Sequence, residues 1–328
     1  MIGGKSWVSG MKILWIFVWS HWFSVTLADE AVAQKFENQG NQSIGVELLV
    51  LGVAQDAGYP QLNCYQPHCQ AGWDGHKKFA TALALIDHNN KQKYLLEATP
   101  DIREQMHQLH QVAPDGLYNL AGIFLTHGHM GHYTGLMHMG HEAAGMKNTP
   151  VYVMPRFKKY LQNNGPWSQL VDYKNIVLQD LHDQSTVQLN PNLSIKPMLV
   201  PHRDEYTETV AYVIKGPRKS VLFIPDIDKW QKWNKDIKAE ISQVDYAFLD
   251  ATFFANGEIP NRDMAEIPHP FVEESLQLLK DLSPKDKAKV IFIHFNHTNP
   301  LLNHDSEASE QVKAHGFKVA YRGMKIDL

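Results

Sequence analysis

With 328 residues, 44% of them hydrophobic and 20% charged, the chain suits one large globular domain or two small ones. A formal charge of −4 gives no electrostatic reason for a nucleic-acid or anionic-membrane partner. Histidine is abundant, at 18 residues, and the grouping of these residues is more informative than their number.

The N-terminus reads as an export signal. Lys5 and Lys12 precede the apolar run ILWIFVWSHWFSVTLA, and Ala28 is a small residue at a cleavage point, so residues 1–28 are expected to be a signal peptide. An uncleaved anchor is the competing reading, but the run is short for a spanning helix and contains His21. The expected location is therefore periplasmic or secreted, with no stable membrane anchoring after cleavage. Residues 29–45 (DEAVAQKFENQGNQSIG) read as a polar, disordered lead-in, and 46–328 as the folded domain.

VELLVLGVA (46–54) reads as a buried strand. The QDAGYPQ stretch after it (55–61) reads as a required turn. Cys64 and Cys69 are the only cysteines. In an oxidising compartment they would form a small-loop disulfide; alternatively, with His68 they are part of a metal knot. FATALALID (79–87) and KYLLEA (93–98) are two more strands, and TPDIREQMHQLHQV a helix capped by Thr99 with Pro100 at its first position. Glu97 and Asp101 are expected to cap or brace that helix.

AGIFLTH (121–127) is a strand that delivers a histidine cluster, and TGLMHMGHEAAG a helix behind it. VYVMP, NIVLQ and LSIKPMLVP are further strands; TVAYVIKG and KSVLFIPD form a hairpin around GPR. VDYAFLD (244–250) is a strand, HPFVEESLQLLKDL (269–282) an amphipathic helix and AKVIFIHF (288–295) a strand. DSEASEQVKAHG is a helix ending at Gly316. This order points to an α/β fold, an αβ/βα four-layer sandwich of two mixed β-sheets.

The chemistry centres on GIFLTHGHMGHYTGL (122–136), where His127, His129 and His132 give H-x-H-x-x-H directly after an apolar strand. An H-x-H pair leaving a strand aims two imidazoles at one point, and His132 faces a second point nearby. His202, Asp226 and His294 also sit where buried strands run out into loops. Together the six would form a metal centre. Each alone fits a packing or surface role equally well.

The pieces LGVAQDAGYPQLNC, LLEATPDIREQ, GHYTGL, VPHRDEYTETVAYVI, IFIHFNHTNPLL and AHGFKVAYRGMKIDL resemble the metallo-β-lactamase superfamily, most of all its coenzyme PQQ synthesis protein B group. The likeness spans about residues 46–328 and implies the metallo-β-lactamase fold. It also implies a first metal site of His127, His129 and His202, and a second of His132 and His294, with Asp226 bridging. Two departures stand out. Gly131 occupies the position where the superfamily motif carries an aspartate, so the second site lacks a carboxylate, and Gly131→Asp is expected to raise the metal content. The PQQ-linked proteins keep that aspartate and lack the first two histidines, the reverse of this chain.

The resemblance further implies a hydrolase in which a metal-activated water attacks an ester, lactone, β-lactam or phosphodiester. The cofactor would be one or two Zn2+ ions, with iron possible. Asp226 would orient the water and accept its proton, and His269 would assist the leaving group as a general acid. His297 and Asn299 would steady the loop around His294, and Arg203 would meet an anionic substrate. Two alternatives are an iron-dependent oxygenase or PQQ-biosynthesis-related protein, and a non-catalytic small-molecule carrier.

Overall fold

The computed structural model describes residues 45–328; the signal peptide expected at 1–28, and the lead-in at 29–45 apart from Gly45, lie outside the described residues. Strands β1 (Val46–Gly52), β2 (Ala82–Asp87), β3 (Gln92–Leu96), β4 (Asn119–Phe124), β5 (Thr149–Val153) and β6 (Ile176–Asp180) belong to one sheet. Strands β7 (Val187–Asn190), β8 (Leu193–Leu199), β9 (Val210–Lys215), β10 (Ser220–Ile224), β11 (Tyr246–Asp250), β12 (Val290–Ile293) and β13 (Lys318–Val319) form the second. The last strand, β14 (Lys325–Asp327), returns to the first sheet beside β1. The strand orders are β14-β1-β2-β3-β4-β5-β6 and β13-β12-β11-β10-β9-β8-β7.

Both sheets are mixed. Antiparallel pairs occur at β1–β2, β2–β3, β8–β9 and β9–β10; tight turns join β2 to β3 and β9 to β10, whereas the long segment 53–81 joins β1 to β2. The parallel pairs β3–β4, β5–β6, β10–β11 and β11–β12 need crossovers, and helices such as Ile102–Val112, Pro155–Asn163, Ile237–Ser242 and Val272–Leu278 supply them. The first sheet is buried on both faces. Leu48, Val50, Leu83, Leu85, Leu96 and Phe124 join the second sheet in one core. Their strand neighbours Leu49, Leu51, Ala84, Ile86, Leu95 and Ile123 pack with helix residues Ile102, Leu109, Phe157 and Leu161. This is the layered sandwich that the order of elements predicts, and burial of both faces explains why the strands read as unbroken apolar runs.

Two contacts brace the strand that carries the histidine cluster. Phe124 stacks on Tyr152 with ring centroids 4.2 Å apart. Tyr212, buried on β9, donates its hydroxyl to the Leu125 carbonyl at 2.5 Å and so links the two sheets beside the cluster.

Several local expectations are corrected. The helix after β3 starts at Ile102, with Asp101 rather than Thr99 at its N-cap position. The Asp101 carboxylate accepts from the Ala80 amide at 2.7 Å, so it holds the 78–80 segment instead of bracing the helix. Behind the cluster a single helical turn, Met130–Tyr133, ends before TGLMHMGHEAAG, and that stretch yields only the 3-10 segment Thr134–Met139 instead of the expected helix. The helix expected at 269–282 forms over Val272–Leu278. Cys64 and Cys69 form a disulfide, which decides between their two readings. Among the described residues, no helix is long and apolar enough to cross a membrane.

Candidate metal centre

The functional side chains sit on the segments that follow strand ends. His127, His129 and His132 follow β4, Asp226 follows β10, Thr252 follows β11 and His294 follows β12. His202 is carried by the loop after β8. The structure gathers all six expected ligands, and it adds a seventh residue, Asp56, from the QDAGYPQ loop after β1.

His127, His129 and His202 form one cluster whose candidate ligand atoms lie within 4.8 Å of one another. His127 Nε2 faces His129 Nδ1 at 2.8 Å. The other nitrogens have partners of their own: His127 Nδ1 lies 2.9 Å from Thr126 Oγ1, and His129 Nε2 lies 2.9 Å from the Glu205 carboxylate. A ring N–H donating to each of those oxygens leaves two lone pairs facing each other, with Arg203 Nη2 3.3 Å from His129 Nδ1, and a cation between the two nitrogens would satisfy both. The His202 side chain is 0% exposed, and neither of its ring nitrogens has a hydrogen-bond partner. Orphaned buried polar atoms of this kind are costly unless a ligand meets them.

Asp56, His132, Asp226 and His294 form the second cluster. Asp226, 3% exposed, lies between the two clusters: Oδ1 is 3.7 Å from His202 Nε2, and Oδ2 is 3.0 Å from His132 Nε2 and 3.2 Å from His294 Nε2. Asp56 Oδ1 lies 3.0 Å from His132 Nε2 and 3.5 Å from His294 Nε2. Ligands held at zinc–nitrogen and zinc–oxygen distances in a tetrahedron stand about 3.4 Å apart, and these separations bracket that figure. His294 Nε2 and Asp226 Oδ2 have no hydrogen-bond partner despite their closeness. The donor set and its spacing therefore fit metal ions.

Beside the three residues expected at the second point stands a fourth, Asp56. The role expected of Glu97 is corrected: the residue is buried, and instead of bracing a helix its Oε1 faces His132 Nδ1 at 3.4 Å. Both Glu97 (φ +81°) and His294 (φ +71°) adopt left-handed backbone, an arrangement that concentrates at functional sites.

His269 stands beside this centre, its Nδ1 2.7 Å from Asp250 Oδ2 and 3.8 Å from Asp226 Oδ1. The Thr252 hydroxyl donates to Asp250 Oδ1 at 2.7 Å and lies 2.9 Å from His294 Nδ1. That hydroxyl's proton is committed to Asp250, so His294 Nδ1 is the donor and His294 Nε2 keeps its lone pair for the cluster. Asn299 donates to the Ala251 and Thr252 carbonyls at 2.7 and 3.2 Å and holds this turn, while His297 Nδ1 meets Asn296 Oδ1 at 3.1 Å.

The protonation states follow from burial and charge. Burial pushes His127 well below the usual imidazole range and His202 down to about 4, so both are neutral, as ligands must be. Burial also disfavours charge on His132, but the Asp226 and Glu97 carboxylates outweigh it and hold His132 well above the usual range. For Asp226 burial acts upward, and the surrounding His294 and His132 overcome it and hold its carboxyl well below the usual range. His269 is raised because Asp250 outweighs its desolvation.

A family model described as a beta-lactamase superfamily domain matches residues 92–295, most of the described chain and all of the centre except Asp56. The chain belongs to the beta-lactamase superfamily. Its similar relatives include coenzyme PQQ synthesis protein B of Acinetobacter baumannii (strain ACICU), 26% identical over 314 residues that cover 86% of this chain and all of the relative. The same protein of Methylorubrum extorquens (strain AM1) is 24% identical over 313 residues with the same coverage. Among solved structures, Zn(2+)-bound PqqB from Methylobacterium extorquens superposes with a TM-score of 0.72 at 24% identity, over 86% of this chain and all of that one. A diphosphatase from the PhnP family gives 0.59 at 21% identity, over 87% of this chain and 97% of that one. These structural likenesses establish the metallo-β-lactamase α/β sandwich in this superfamily member.

Of the residues in its centre, Asp56 and Glu97 were not read as site residues from the sequence. The signal for Glu97 was its place at the end of a buried strand; Asp56 lay in a stretch whose Gly and Pro suggested only a turn.

Proposed function

We propose that this beta-lactamase superfamily protein is an exported metal-dependent hydrolase acting on an ester, lactone, β-lactam or phosphodiester. The observation that carries the reading is the placement of one buried carboxylate, Asp226, between two clusters of histidines in which both His202 ring nitrogens and His294 Nε2 have no hydrogen-bond partner. Zinc bound there would supply an acidified water and a polarised electrophile. His127, His129 and His202 would hold one ion, His132, Asp226 and His294 a second.

The chain's own groups do the rest. Asp226, ionised and fixed between the clusters, orients the attacking water and receives its proton. His269, raised by Asp250, donates a proton to the departing oxygen or nitrogen. Arg203 lies at the mouth, its Nη2 3.0 Å from His129 Nε2, and meets a negative charge on the substrate. The Cys64–Cys69 disulfide supports an oxidising compartment and hence export.

The names of the relatives favour a second reading, a role in PQQ biosynthesis, and the donor set would also suit an iron-dependent oxygenase, because histidines and carboxylates with open positions accept iron as well. Elemental analysis of the purified chain, grown with zinc and iron available and compared with His127→Ala/His129→Ala, separates the two. Zinc lost in the double variant, with turnover on an ester and phosphodiester panel, supports the hydrolase. Iron with oxygen consumption supports the second reading. Metal without turnover on either test overturns both and leaves a small-molecule carrier.

A further inference from the structure

Gly131 and Asp56 are far apart in sequence and in contact in space. A Cβ placed on Gly131 would fall 2.2 Å from Asp56 Cα, 2.6 Å from its Cβ and 2.7 Å from its Oδ1. Real Cβ atoms do not approach other atoms so closely, so any side chain at 131 and the present position of Asp56 exclude one another. The volume beside His132 that a side chain on residue 131 would fill is occupied by the carboxylate of Asp56. That carboxylate lies near the same two nitrogens, His132 Nε2 and His294 Nε2, that Asp226 also faces.

We propose that Asp56 is the carboxylate ligand of the second metal ion, brought from the loop after β1 into the space that Gly131 leaves open. The proposal rests on the reading of the histidine clusters as a metal centre and deepens it: the second site is complete, with four protein ligands, and Gly131 is a requirement of the site rather than a loss. Asp56 is 29% exposed on its side chain, whereas His132, Asp226 and His294 are almost wholly buried. Of the four side chains, Asp56 is therefore the one most open to solvent. The expectation that Gly131→Asp would add a missing ligand is reversed. The new side chain would collide with the Asp56 backbone and displace the ligand already present.

The test is zinc binding by the full chain in equilibrium dialysis, with metal counted per chain. Wild type is expected to hold two ions. Asp56→Asn keeps the shape and removes the charge; it should retain one ion and bind the second at least about tenfold more weakly. Gly131→Ala changes no ligand residue, yet it should weaken the same ion because its methyl pushes Asp56 aside. His127→Ala/His202→Ala should lose the other ion and keep the one beside Asp56. A second variant tests ligation directly: Asp56→Cys loaded with cobalt should show a thiolate-to-cobalt charge-transfer band in the near ultraviolet. Two zinc ions bound by Asp56→Asn with wild-type affinity, or two cobalt ions in Asp56→Cys without the band, would overturn the proposal and leave the metal centre standing. A wild-type chain that binds no zinc would overturn the metal-centre reading, and this proposal with it.

Discussion

Thr252→Val removes one hydroxyl and changes almost nothing in volume, so its consequences can be worked out from the contacts. The hydroxyl donates to Asp250 Oδ1 at 2.7 Å and receives His294 Nδ1–H at 2.9 Å. Asp250 Oδ1 keeps the Thr252 amide at 2.9 Å, so the carboxylate is not orphaned. His294 Nδ1 is orphaned, in a fully buried ring. Leaving it unpaired costs about 1–3 kcal/mol. The ring can escape that cost by moving its proton to Nε2, but Nε2 is the atom that faces Asp226 and Asp56, and a protonated nitrogen cannot ligate. The expected result is a loss of about 10- to 100-fold in affinity for the second ion, with the first ion unaffected. Zinc competition against a chromophoric chelator reads both affinities, and thermal unfolding in excess chelator reads the cost to the metal-free chain. Second-ion affinity within about twofold of wild type would refute the argument that Thr252 fixes the His294 tautomer.

Asp250→Asn acts on the neighbouring histidine. Asp250 raises His269 above its ordinary value, so the ion pair contributes stability that is fully present below the unfolded imidazole pKa and is lost as pH rises through the folded one. As a general acid His269 is needed protonated, so kcat/KM should fall as pH rises through that folded value. In Asp250→Asn this descending limb should move to lower pH, and an unmoved limb in a pH–rate profile would remove His269 from the acid role. In the core, Phe124→Ala deletes a fully buried ring packed on Tyr152 and Tyr212 and should cost about 3–5 kcal/mol in denaturant unfolding. Reduction of Cys64–Cys69 opens a short loop, five residues in separation, and should lower stability by about 2 kcal/mol, measured by unfolding with and without reductant.

The sheets were legible because both faces of the first sheet are buried: a run such as VELLVLG has no solvent-facing position to interrupt it. The histidines were legible because each follows such a run. The short helices were not. Pro67–Trp73 and Trp167–Asp172 span 7 and 6 residues, too few to show a periodic face, and tertiary packing rather than propensity holds them. TGLMHMGHEAAG has helix-forming composition, yet Gly140 ends the 3-10 stretch in an extended conformation and the chain turns away.

The exchange between Gly131 and Asp56 was invisible for a different reason. A glycine in a motif shows which side chain is missing; it cannot show which neighbour has moved into the space. The answer depends on where the loop after β1 goes, and that is fixed by contacts distant in sequence. Gln55 N donates to the Phe295 carbonyl at 2.7 Å and Phe295 N to the Val53 carbonyl at 2.8 Å, so the residues flanking Asp56 are hydrogen-bonded to the turn that carries His294. The same backbone pairing that aims Asp56 at the second cluster therefore also positions His294, at a left-handed φ that costs about 1–3 kcal/mol and persists only where the surroundings over-determine it. Two candidate ligands from opposite ends of the domain are thus set by one local ladder. A change that loosens the loop after β1 should be felt at His294 as much as at Asp56.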